Sequence, residues 1–115
     1  MTLNEYQKEA LKTNYKDSDI DKSVTSLQFM SHVLGLVGES GEFADKIKKI
    51  YRNNRGKMNE HERYELLKEL GDVLWHIPVL AHYLGSDFDS VAEANLKKLA
   101  DRAKRGVINS KGDNR

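Results

Sequence analysis

The sequence predicts an all-α chain. Apolar residues recur at helical spacing almost throughout, β-branched runs are scarce, and 115 residues contain a single proline. A first helix over about 2–15 opens on a capping box, Thr2 with Glu5. Residues 16–22, KDSDIDK, read as a polar connection. A second helix starts near Ser23 and runs to about Asn53, with a break expected at Gly35–Gly41. Its stripe is Leu27, Met30, Val33, Leu36, Phe43, Ile47 and Ile50. Residues 53–57, NNRGK, form a turn, and Asn59 with Glu62 caps a third helix over about 60–84. The third stripe is Leu66, Leu70, Val73, Ile77, Leu80 and Leu84, with a kink expected at Pro78 and Gly85 just past the end. Asp87–Ser90 begins a fourth helix, about 88–104, that ends at Gly106. Residues 1–106 thus form one helical domain, and 107–115 a tail without periodicity.

The composition narrows the function classes. Nineteen Lys and Arg against 18 Asp and Glu leave a net charge of +1, so the basic footprint of a nucleic-acid binder is absent. With 38% hydrophobic residues and a mean hydropathy of -0.71, a chain this short buries only part of its surface, which predicts completion of the core by homo-oligomerisation. Zero cysteines exclude disulfides, thiolate nucleophiles and zinc fingers. The first residues lack the apolar core of a signal peptide, and no apolar run approaches the roughly 20 residues of a membrane span. Together these point to the cytoplasm, with no membrane and no nucleic acid as partner.

Two acidic pairs at i,i+3 spacing carry the chemistry: Glu39-Ser40-Gly41-Glu42 and Glu69-Leu70-Gly71-Asp72. Residues three apart share a helical face, so each pair aims two carboxylates at one point. The turn at 53–57 lets the two helices pack antiparallel, which brings the pairs together at mid-length. Four carboxylates in a half-buried cluster repel one another, so their pKa values rise or a cation neutralises them. Oxygen-only donors select Mg²⁺, with Mn²⁺ a substitute. An E-x-x-E is more often a solvated face, and Glu62 with Glu65 is read as such. The glycines distinguish the two motifs: Gly41 and Gly71 each cost about 1 kcal/mol against Ala in a helix interior, which close backbone approach would explain. No His follows a Glu by three residues, and H-E-x-x-H, the P-loop and G-x-G-x-x-G are absent.

These residues resemble the MazG-like nucleotide pyrophosphohydrolases of the all-α NTP pyrophosphatase superfamily. Gly35-Leu36-Val37-Gly38-Glu39-Ser40-Gly41-Glu42, an interval of 26 residues (43–68), then Glu69-Leu70-Gly71-Asp72-Val73-Leu74-Trp75 match its E-x-x-E…E-x-x-D signature. The resemblance continues through Asn95-x-x-Lys98-Leu99-Ala100-Asp101-Arg102 and Arg105-Gly106 to Gly112-Asp113-Asn114-Arg115, covering roughly residues 3–115. It implies a four-helix bundle completed as a homodimer or homotetramer. It also implies Mg²⁺-dependent cleavage of a nucleoside triphosphate between the α- and β-phosphates, with Glu39, Glu42, Glu69 and Asp72 as metal ligands.

Other residues have two readings each. Lys46 holds substrate phosphate or makes an i,i+4 pair with Glu42. Lys98 and Arg102 hold phosphates or form a solvated basic face, and Asn95 hydrogen-bonds sugar or base or stays at the surface. Trp75 stacks a base or packs in the core, and His32 borders the base pocket or is a satisfied buried histidine. Arg105 and Arg115 reach phosphates if the glycine-hinged tail folds over them, and are otherwise solvated. The competing function is a non-catalytic helical adaptor or nucleotide-sensing module, which has no need of the doubled acidic motif.

Overall fold

A computed structural model describes residues 1–14, 23 and 25–115; the polar connection expected over 16–22 lies outside them. Four helices follow in order: α1 (Leu3–Lys12), α2 (Leu27–Asn54), α3 (Glu60–Tyr83) and α4 (Phe88–Arg105). No strand occurs among the described residues, and no helix there is long and apolar enough to cross a membrane. Local chemistry sets the helix ends. Both expected capping boxes form: Thr2 Oγ1 accepts from the Glu5 N–H and Asn59 Oδ1 from the Glu62 N–H, and each glutamate reaches back to its cap residue's N–H. The start of α2 is later than expected because Ser26, not Ser23, accepts from the Phe29 N–H and caps it. The expected break at Gly35–Gly41 does not occur; α2 is continuous over 28 residues. The third helix contains Pro78 and continues to Tyr83, close to the end expected near residue 84. It closes with Gly85 at φ +74, the Ser86 N–H donating to Ala81 O and the Gly85 N–H to His82 O.

The helices α2 and α3 make the most extensive packing, an antiparallel hairpin turned at Arg55 and Gly56, both at positive φ. The shorter α1 and α4 pack on each other and on α3. Gln7 ties that corner together: buried in α1, it donates to Pro78 O at 2.9 Å and accepts from the Phe88 N–H at 3.3 Å. A polar residue at a stripe position of the first helix was the signal for it, since Gln7 lies four after Leu3 and three before Ala10. The core comprises Ala10, Ile50, Leu66, Val79, Ala81, Tyr83 and Phe88.

The expected stripes are only partly buried. Ile50 and Leu66 are inside, whereas Leu27 is 87% exposed and Met30, Leu70 and Leu84 are exposed too. The long hairpin is simply larger than the cover that α1 and α4 provide. It shows solvent two apolar patches, Leu34 and Val37 on α2 and Leu67, Leu70 and Leu74 on α3.

Candidate metal centre

The hairpin register builds the site. Gly35 of α2 lies against His76 of α3: a Cβ there would stand 2.5 Å from His76 Cε1. Further along, Lys46 Nζ reaches Glu65 at 3.5 Å. That antiparallel register sets Glu39 across from Asp72 and Glu42 across from Glu69. Glu39, Glu69 and Asp72 each offer a carboxylate oxygen within 4.8 Å of the others. Glu69 is buried, at 8% exposure, Glu39 half-buried and Asp72 exposed. Glu42 stands outside this group, exposed on α2, and acts on Glu39 as a like charge.

Burial, then the charges of Glu42, Asp72 and Glu69, push the Glu39 carboxyl above the usual glutamate range. Glu69 has split partners: Lys46 Nζ meets its Oε1 at 2.7 Å, while its buried Oε2 has no partner among the described residues. A buried carboxylate oxygen without a donor is costly unless a cation takes it. The donor set, all hard oxygen and drawn from two rigid helices, fits a small divalent ion. The Lys46 ammonium is itself pushed up, first by its hydrogen bond to Glu69.

Two sequence readings change here. Among the described residues Gly41 and Gly71 meet nothing within 4 Å, so neither makes a close approach there; Gly35, under the His76 ring, does. Glu65 is no solvated acid: it is half-buried and engages Lys46, Lys68 at 2.9 Å and His61 at 3.9 Å.

The remaining candidates fall into two places. Trp75 joins an aromatic cluster beside the acids, its ring 5.6 Å from His32 and 4.9 Å from His76, and its Nε1–H donates to Thr13 Oγ1 at 2.7 Å. His32 is buried and also faces Tyr83 at 5.3 Å. Burial, then the neighbouring His32, lowers the His76 pKa. The other place is the tail, which folds back along α4. Arg102, 4% exposed, donates through Nη2 to Asp113 O at 2.7 Å and Oδ1 at 3.1 Å, and Lys98 reaches the same Oδ1 at 3.3 Å. Arg105 bonds Asp101 and the Arg115 carbonyl, while Arg115 donates to the carbonyls of Val107, Ile108 and Gly112. Lys98, Arg102, Arg105 and Arg115 are thus held by Asp101, Asp113 and tail carbonyls, and Asn95 is exposed on α4.

The family model of the MazG nucleotide pyrophosphohydrolase domain matches residues 28–107, which contain all four motif acids. The chain is also similar to the Gene 37 protein of Mycobacterium phage L5, 46% identical over 91 residues, covering 78% of this chain and 80% of that protein. No solved structure matches. The paired acidic motifs, the helical hairpin that joins them and the match over most of the chain make it a member of the MazG nucleotide pyrophosphohydrolase family.

Proposed function

We propose that this chain hydrolyses a nucleoside or deoxynucleoside triphosphate between its α- and β-phosphates, giving the monophosphate and pyrophosphate with Mg²⁺ as cofactor. The observation that carries the reading is the converging trio Glu39, Glu69 and Asp72, with the buried Glu69 Oε2 unpartnered. Mg²⁺ bound there would offset the triphosphate charge and orient a water in line with the α-phosphorus. Glu39, Glu69 and Asp72 would hold it, with Glu42 a fourth donor at the open side. Glu39 or Glu42 would take the water's proton. Trp75 is the candidate to stack the base, and Asn95, Lys98, Arg102, Arg105 and Arg115 are the candidates for phosphate and sugar, whereas Lys46 is held by Glu65 and Glu69. For Arg102 to take that role, Asp113 must first leave its guanidinium. Pyrophosphate release from a mixed nucleotide pool, with and without Mg²⁺, tests the proposal. Release that is equal in both arms, or absent in both, rejects it.

The same reading includes a homodimer or homotetramer. The radius of gyration is 17.1 Å, against about 13 Å for a compact chain of this length. The accessible surface is 8472 Å², about 2,000 Å² more than a globular monomer of this mass shows. The exposed apolar patches on α2 and α3 are surface that a second copy would cover. Gly41 lies beside the α2 patch, four after Val37 and seven after Leu34, and Gly71 beside the α3 patch, four after Leu67 and three before Leu74. A helix from a second copy laid on the α3 patch would meet Gly71, so the close approach that Gly71 suggested would fall between protomers. Gly71→Leu is expected to halve the light-scattering mass at micromolar concentration while leaving the helical circular dichroism unchanged. A wild-type protein that scatters as a monomer refutes the assembly.

A further inference from the structure

We propose that Lys46 is a positioning residue: by holding one oxygen of Glu69, it presents the other as a fixed ligand atom for the divalent cation. This rests on the metal-dependent reading above and deepens it. The spacing of Lys46 from Glu42 suggests a local pair within one helix, but the ammonium instead crosses the hairpin. Nζ sits 2.7 Å from Glu69 Oε1 and 3.5 Å from Glu65 Oε2, so two carboxylates one turn apart on α3 fix it. Glu65 is anchored in turn by Lys68 at 2.9 Å. The other Glu69 oxygen, Oε2, is buried and unpartnered, and Glu69 is one of the three acids that converge. A carboxylate with both oxygens free can turn about its last torsion, whose preference is broad, or bind through both atoms. With Oε1 taken, one atom in one orientation remains.

Two effects of the ammonium oppose each other. Its charge repels an arriving divalent ion, and its hydrogen bond orients the ligand. The Lys46 side chain is 37% exposed and that of Glu69 only 10%. Water therefore screens the repulsion, while the buried carboxylate has little else to hold it. Partners of metal ligands are worth about 10–100-fold in metal affinity, so orientation outweighs repulsion.

The test titrates the full chain with Mn²⁺ alone, without nucleotide, and follows the electron paramagnetic resonance of the free ion. Lys46→Met is expected to weaken Mn²⁺ binding about tenfold. Lys46→Arg, which keeps the charge and a donor, should stay within about threefold of wild type. Because the pair is partly exposed, all variants should keep the wild-type circular dichroism. If Lys46→Met does not fold, Glu65→Gln, which removes the second anchor, replaces it and should weaken Mn²⁺ binding by about twofold to threefold. Mn²⁺ affinity in Lys46→Met that equals or exceeds wild type overturns the inference, as does a rise confined to the nucleotide KM. If the wild-type chain itself binds no Mn²⁺, the metal reading fails and this inference with it, an outcome distinct from a failure seen only in the variant.

Discussion

Glu69→Gln is expected to lower the rate of pyrophosphate release by at least ~10²-fold. Outer partners of metal ligands are worth ~10–100-fold, so loss of a ligand itself should sit at or beyond the top of that range. The amide keeps the volume and one oxygen but loses the charge that draws a cation into a buried position. Glu39→Gln and Asp72→Asn should behave alike, since their oxygens complete the group of three within 4.8 Å. Glu42→Gln should cost least, because Glu42 is exposed and outside that group. Steady-state kinetics at several Mg²⁺ concentrations would check the order. Near wild-type turnover in any two of the three trio variants sinks the site.

Glu39→Gln also carries a stability signature of opposite sign. Without metal, Glu39 is ionised among like charges, and its folded pKa lies above the unfolded value. A raised carboxyl pKa means that ionisation penalises the folded state at neutral and higher pH, and that the penalty fades as pH falls and the group takes its proton. Metal-free Glu39→Gln should therefore melt above wild type at pH 8. The difference should close as pH falls through the carboxylate range, and adding Mg²⁺ should reverse the order by stabilising wild type alone. Melting curves across pH, with and without Mg²⁺, read all three outcomes.

What the sequence made legible was local. Cap residues act on N–H groups two or three positions away, so Thr2, Asn59 and Asp87 announced three helix starts within a residue or so. The acid motifs were equally legible, because i,i+3 spacing fixes a shared face whatever surrounds it. The long-range partners were not. Lys46 had a plausible partner in Glu42 within its own helix, and only the hairpin register revealed Glu65 and Glu69 instead. The glycines misled for a related reason: a helical glycine says that space is needed, but not which neighbour needs it. Gly41 and Gly71 face open space, and the glycine under a ring is Gly35, outside both acid pairs. The stripes named apolar positions correctly but not which of them this chain buries on its own, since that depends on how far α1 and α4 reach.

Gly35→Ala is expected to destabilise the protein, against the direction that helix propensity gives. In an exposed helix interior, Gly to Ala gains about 1 kcal/mol. Here the new methyl would stand 2.5 Å from His76 Cε1, 3.0 Å from Nε2 and 3.2 Å from Nδ1, closer than carbon atoms pack. The imidazole cannot simply swing aside, because the Trp75 ring stands 4.9 Å from it and the His32 ring 6.1 Å. Overpacking of this kind costs about 1–3 kcal/mol, so the net change should be a loss of about 1 kcal/mol and a melting temperature a few degrees lower. The effect should also reach the chemistry. Gly35 lies one turn before Glu39 and His76 one turn after Asp72, so any widening of the hairpin at this contact separates Glu39 from the two acids of α3. A rise in the Mg²⁺ concentration needed for half-maximal rate should accompany the lower melting temperature. His76→Ala removes the ring that the methyl would strike. In that background Gly35→Ala should be neutral or stabilising, which makes the coupling between the two positions the quantity to measure. A Gly35→Ala protein that melts higher than wild type, with unchanged Mg²⁺ dependence, would show that the hairpin spacing at Gly35 does not control the site.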